Sequence, residues 1–247
     1  MAHPVVLKLK RGADLSVDDT QALVDACSDV MTVPGREDLI EEGARPSNVH
    51  VVLEGFACRY KVLPDGGRQI MAWLVPGDFC DLHVAILGRM DHSIATLTPS
   101  KIARIGQDVV DRLTSTSPAL GRALWWATLV DEGILREWLT NMGRRPADKQ
   151  IAHLFCELLV RLRTVGLVED DEVFMPLTQN ELADSVGLST VHVNRVVQEL
   201  REKDLIAWQD KRLKIRDVPR LMQFAEFDPT YLHLSAVDEA DRGAGRP

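Results

Sequence analysis

The sequence lacks paired cysteines. Cys27, Cys58, Cys80 and Cys156 are widely scattered with no C-x-x-C pair, so their spacing specifies neither a zinc knuckle nor a cluster-binding set. They read as free thiols, most of them buried. Long apolar runs are missing too. The longest, "ALWWATLV", falls far short of the roughly 20 residues of a spanning helix, and the apolar core of "MAHPVVLKLKRG" is too short for a signal peptide. A soluble, cytoplasmic protein with no membrane partner is expected. There is no glycine loop to cradle phosphate and no H-E-x-x-H. Ser93 follows His92, but adjacent strand residues point to opposite faces and no third group is specified. No catalytic constellation is present, and no enzyme is expected. Bulk positive charge is also lacking. The net charge of −8 argues against coating nucleic acid electrostatically.

What is present fits two domains, the ordinary division for 247 residues. The acidic excess is uneven. From Phe174 to Arg220 there are eight basic and seven acidic side chains, which leaves room for a local DNA-reading face.

Ser16 and Asp19 can cap a short amphipathic helix with Leu23, Val24 and Cys27 on its apolar side. From Met31 to Gly106 the chain breaks into short runs, "NVHVV", "FACRYKVL", "RQIMAWLV" and "SIATLT", separated by turn sequences such as "PDGG" and "PGDF". An antiparallel roll or sandwich is predicted. Gly43, Gly55 and Gly67 recur every twelve residues, with Gly77 ten further on, which suits roll corners that need a left-handed backbone.

Pro118 starts a long helix ending near Gly143. Its stripe Leu120, Leu124, Ala127, Asp131, Ile134, Trp138 and Asn141 alternates steps of four and three, the seam spacing of a two-stranded coil. A helix face buried on its own roll has the same pattern, and both readings stand. A second helix, from "PADKQ" on, carries Ile151, Leu154, Phe155, Leu158, Leu159 and Leu162 on one face and opens a C-terminal domain.

"LTQNELADSVGLSTVHVNRVV" has the anatomy of a helix-turn-helix. Thr178 and Glu181 form a capping box, Leu177 and Leu182 a hydrophobic staple, Gly187 permits the turn and Ser189 caps the second helix. "LIAW", "QDKR" and "LKIRD" read as the hairpin of a winged helix. Wound at about 100° per residue, the second helix turns Val193, Val196, Val197 and Leu200 inward and Val191, Arg195 and Glu202 outward. Gln198, His192 and Glu199 flank them, with Asn194 and Thr190 at the margin. Arg195 suits guanine and Gln198 adenine, whereas Val191 can only pack, for example on a thymine methyl. Thr178, Gln179 and Ser189, near helix starts, suit phosphate. His192 and Asn194 can equally support neighbouring side chains.

Together, "LEGFACRYKVLPDGGRQI", "PGDF" and "LTQNELADSVGLSTVHVNR", in that order, resemble the Crp/Fnr family of bacterial transcription regulators over roughly Leu15 to Leu221. The resemblance implies an α+β chain with a jelly-roll-like β-roll, a long dimerisation helix and a C-terminal winged helix-turn-helix. The corresponding division is an effector-sensing roll at 15–112, a linking helix at 117–143, a DNA-binding domain at 144–220, and an extension with a polar tail at 221–247. It also implies a homodimer on a palindromic double-stranded DNA operator, RNA polymerase as a partner if the protein activates, and a small-molecule or redox signal in the roll. The alternative is a signalling protein whose winged helix binds protein.

Departures from the family pattern bear on the signal. Cyclic-nucleotide-binding members carry a Gly-Glu pair after the "PGDF" turn and an arginine before Ser or Thr downstream. Asp81 and Leu82 stand in place of the first, and His92 precedes Ser93 in place of the second. Cyclic AMP is therefore not expected, nor is an iron-sulfur cluster, since no cysteine precedes Cys27. The cofactor is left unassigned. Asp81, His83, His92 and Ser93 are a candidate effector pocket, but nothing in their spacing enforces metal geometry, and no metal is assigned. Many relatives also carry a glutamate that accepts from cytosine where this chain has Val191.

Overall fold

The computed structural model describes residues 3–234. The polar tail expected at "VDEADRGAGRP" lies outside the described residues. The chain opens with α1 (Pro4–Leu9), which the sequence reading did not anticipate; six residues are too few to show a period, but Val5, Val6 and Leu9 are buried. Helix α2 (Val17–Ala26) begins at the expected capping box. The Ser16 hydroxyl accepts from the Asp19 N–H and the Asp19 carboxylate accepts from the Ser16 N–H, both at 3.0 Å.

The strands β1 (Val30–Val33), β2 (Asp38–Ile40), β3 (Asn48–Glu54), β4 (Ala57–Val62) and β5 (Arg68–Leu74) lead to a short helix α3 (Val84–Leu87). After it come β6 (Ser93–Thr96) and β7 (Ser100–Gly106). They pair antiparallel in two sheets, ordered β1-β7-β3 and β2-β6-β4-β5. The chain changes sheets between β3 and β4 at Gly55. Its φ is +89°, and a Cβ there would lie 2.3 Å from the Ser100 hydroxyl, so only glycine fits. At the "PDGG" hairpin the expected left-handed glycine is displaced by one. The Gly66 N–H donates to the Leu63 carbonyl at 2.9 Å, closing a turn whose last residue is Gly66 at φ +84°, and Gly67 resumes the strand ladder.

Helix α4 (Gln107–Thr116) leads into α5 (Pro118–Arg144) through Ser117, whose hydroxyl accepts from the Leu120 N–H at 3.2 Å. Then follow α6 (Ala147–Thr164), β8 (Glu172–Phe174), α7 (Gln179–Val186), α8 (Thr190–Glu202), β9 (Ile206–Gln209), β10 (Arg212–Ile215) and α9 (Val218–Ala225). The third sheet is ordered β8-β10-β9, so the wing gains a strand too short to read from sequence. A division at residue 220 would cut α9, whose Leu221 and Ala225 belong to the C-terminal core. The chain then returns to α5, where a Cβ on Gly133 would sit 2.8 Å from the Tyr231 carbonyl.

One apolar core runs without a break from Cys58, Ile70 and Trp73 of the roll through Ile134 and Trp138 of α5 to Phe155, Leu158, Val193 and Leu200. Helix α5 therefore packs on both ends of the molecule. This corrects one of the two readings of its 4-3 stripe. Leu120, Leu124, Ala127, Ile134, Trp138 and Asn141 are buried within the protomer, and Asp131 is half-buried. A second 4-3 stripe lies one residue further round, at Gly121, Trp125, Thr128, Glu132, Leu135, Leu139 and Met142, with Trp125 67% and Leu139 74% exposed.

Candidate nucleic-acid interface and sensor site

The helix-turn-helix forms for the reasons its residues suggest. At the start of α7 the Glu181 N–H donates to the Thr178 hydroxyl at 3.2 Å, and the Thr178 N–H donates to the Glu181 carboxylate at 2.6 Å. The staple residues Leu177 and Leu182 are both buried. Gly187, at φ +66°, ends α7, and the Ser189 hydroxyl accepts from the His192 N–H at 3.3 Å to begin α8. Val193, Val196, Val197 and Leu200 are buried in the shared core.

The outward face of α8 carries Val191, 81% exposed, with Asn194, Arg195 and Gln198 also exposed. Asn194, expected at the margin, therefore belongs to the open face. His192 and Thr190 are half-buried, and the Thr190 hydroxyl donates to Asn180 Oδ1 at 2.9 Å, tying α8 to α7. Asn180 was missed by the sequence reading; its partner lies ten residues on. Arg195 makes no ion pair among the described residues, whereas Arg201 is held by Gln198 Oε1 and the Trp208 carbonyl. Thr178 and Gln179 are half-buried and Ser189 is exposed; a capping hydroxyl accepts and still has its hydrogen to donate. The wing turn has Asp210 and Lys211 at φ +51° and +62°, both left-handed, so it is a type I′ turn built without glycine. Helix α7 is clamped to the roll by Arg68 on Asp184 at 2.8 Å and by the Gln69 amide on the Ser185 carbonyl at 3.2 Å.

In the roll, the four candidate effector residues do not converge. Asp81 is fully buried and accepts from the His50 N–H at 2.6 Å, with His50 Nδ1 2.7 Å from its other oxygen. The Ser93 hydroxyl accepts from the Glu42 N–H at 2.9 Å. His83 and His92 do meet, with ring centroids 5.3 Å apart, and their acidic partner is Asp91 rather than Asp81. Its Oδ1 is 2.6 Å from His92 Nδ1 and 3.9 Å from His83 Nε2. Burial first and the positive charge of Arg59 second lower the pKa of both imidazoles from the ordinary value, so both are neutral at pH 7.

Arg59, on β4, links this region to α5. Its guanidinium donates to the Cys80 carbonyl at 2.9 Å, the Phe79 carbonyl at 2.7 Å and Asp131 at 2.9 Å. The one trace of this link in the sequence was Asp131 interrupting an apolar stripe. A second buried polar group joins the roll to the C-terminal domain. Arg161 on α6 reaches Asp78 at 2.5 Å and Glu157 at 2.9 Å, while Glu157 accepts from the Trp138 indole and the Tyr231 hydroxyl, each at 3.0 Å. Burial would raise the Asp78 carboxyl, but Lys8 and Arg161 overcome it and hold its pKa down to about 2.

A winged helix-turn-helix with an open recognition face, joined through one long helix to a β-roll, defines the protein as a DNA-binding transcription regulator of the roll-plus-winged-helix type. The model of the Crp-like helix-turn-helix domain matches residues 149–224, and that of the cyclic nucleotide-binding domain matches residues 30–117. The chain belongs to the Crp/Fnr family of transcription regulators. It is 28% identical over 198 residues to the transcriptional activator protein FnrL of Cereibacter sphaeroides, covering 78% of each chain. It is 27% identical over 171 residues to the nitrogen fixation regulation protein FixK of Azorhizobium caulinodans, covering 69% of this chain and 68% of that one. Its fold is similar to that of FixK2 from Bradyrhizobium japonicum, with a TM-score of 0.70 at 20% identity over 78% of this chain and 95% of the other. Among the described residues no helix is long and apolar enough to cross a membrane.

Proposed function

We propose that two copies of this chain pair along the exposed stripe of α5 and read the two halves of a palindromic operator with α8. Arg195 reads guanine, Gln198 and Asn194 are placed for adenine, and Val191 packs against a base without a hydrogen bond. Ser189, Thr178 and Gln179 face phosphate. The observation that carries this reading is Arg195 itself, exposed and without an ion pair among the described residues, on a helix whose other side is fully buried. The roll carries the signal, and RNA polymerase is the further partner if the protein activates, as its relative FnrL is named to do.

Neither cyclic AMP nor thiol oxidation is the signal this reading favours. His92, neutral and hydrogen-bonded to Asp91, is a poor clamp for a cyclic phosphate. Burial raises all four thiols, Cys27 to about 11 and Cys58 to about 12, which disfavours the reactive thiolate.

Selection of bound DNA from a random pool, followed by gel shift on base-substituted operators, tests the readout. A required guanine whose loss costs about 1–3 kcal/mol, and whose requirement disappears in Arg195→Ala, is expected. Val191→Glu should create a cytosine requirement that the native protein lacks. A strong cytosine requirement in the native protein, abolished by changing Val191, overturns the assignment. No specific binding under any condition favours a protein-binding winged helix.

A further inference from the structure

We infer that His83, Asp91 and His92 form a binding site for a divalent first-row transition-metal ion, and that this ion is a signal the roll passes to α5. The inference rests on reading the roll as the sensor. One ligand atom from each of the three residues lies within 4.8 Å of the others. Two imidazoles and a carboxylate are the donor set that zinc, iron, cobalt or nickel prefers, and they offer too few oxygens for calcium or magnesium. Three protein ligands leave an open position for water.

His92 is only 8% exposed, and its Nε2, like that of His83, has no hydrogen-bond partner among the described residues. Buried nitrogens left in this state call for a ligand. Asp91 here holds the His92 ring through Nδ1, and as a ligand its carboxylate leaves that nitrogen to join the two Nε2 atoms on the ion. Metal bonds of about 2.0–2.1 Å require the donors to draw closer than they stand here. Asp91, next to His92 in the loop after α3, has an exposed side chain, so no core packing opposes its turning toward the ion.

His83 immediately precedes α3 and His92 immediately precedes β6, so ligation would pin together both ends of the loop that carries α3. That loop continues from Phe79 and Cys80, whose carbonyls Arg59 holds while it binds Asp131 on α5. The Arg59 charge already acts on both rings. A dication at this site repels that guanidinium and weakens its hold on Asp131 and the two carbonyls, which gives the ion an electrostatic connection to the helix proposed as the dimer seam.

The test uses the full-length protein stripped with a chelator. Titration with Co(II), read by its visible absorption and competed with Zn(II), should give one ion per chain. The double variant His83→Ala/His92→Ala should lose binding. Asp91→Asn, whose side chain is exposed and whose fold is checked by circular dichroism, should bind at least about ten-fold more weakly. No saturable binding by the native protein, or unchanged affinity in Asp91→Asn together with the folded double variant, overturns the site. Gel shift on the selected operator then compares stripped and Zn(II)-loaded protein. A change of about ten-fold or more supports the signal role, and metal binding with unchanged DNA affinity overturns it. Metal binding by a protein that recognises no operator in either state would sink the regulator reading while leaving the site intact.

Discussion

Leu139 and Trp138 are neighbours on α5 with opposite duties, and substituting each in turn separates self-association from folding. Leu139 is 74% exposed in the protomer. Full burial of a leucine side chain stabilises by about 1.5–3 kcal/mol, so covering this one in a dimer contributes about 1–2 kcal/mol per copy. Twofold symmetry uses the residue twice, for about 2–4 kcal/mol, or roughly 30- to 1000-fold in dimer Kd. Leu139→Glu removes that contribution and sets two carboxylates across the seam, while the protomer loses no core contact. Trp138 is 8% exposed, and its indole donates to Glu157 at 3.0 Å. Trp138→Ala should cost the protomer about 3–5 kcal/mol by opening a cavity and removing a partner from a buried carboxylate. Sedimentation velocity over a concentration series reads association, and urea unfolding of each protein under monomeric conditions reads stability. If Leu139→Glu remained as dimeric as the native protein while Trp138→Ala dissociated into folded monomers, the seam would be the inner stripe and the packing argument would be wrong.

Two further outcomes follow from the buried charges. His153 is fully buried between Asn141 and Glu137, and burial, followed by the charge of Arg145, lowers its pKa to about 4. Its folded pKa lies below the unfolded value of about 6.5, so its contribution is complete above that pH and is lost as pH falls through 4, by about 3 kcal/mol. Urea midpoints of the native protein and His153→Gln should converge over that window, and parallel pH profiles would refute the assignment. Arg161→Met removes the shared cation, leaving Asp78 with Lys8 alone and the buried Glu157 with only the Trp138 and Tyr231 donors. A loss of about 3–5 kcal/mol is expected in thermal or urea unfolding, and less than about 1 kcal/mol would show that the carboxylates find other partners.

Much of the architecture was legible because it is encoded locally. Ser16 with Asp19, Thr178 with Glu181, and Ser189 each specify a helix start within three residues, and the roll announces itself through short alternating runs broken by turns. The recognition face was readable for the same reason: a helix with four buried positions leaves little freedom about which side chains point away. Short elements escaped, among them α1, α3 and β8, because six, four and three residues carry no usable period.

By itself, then, the sequence determined that this chain would build a β-roll, one long helix and a winged helix-turn-helix with Arg195 outward. Tertiary structure alone decided which 4-3 stripe of α5 remains open, because both stripes share one spacing and only the packing of roll and C-terminal domain covers the first. It also decided that Asp91 joins His83 and His92 while Asp81 turns to His50. Which side chains meet across a loop depends on how the backbone between them turns, and no spacing along the chain carries that information.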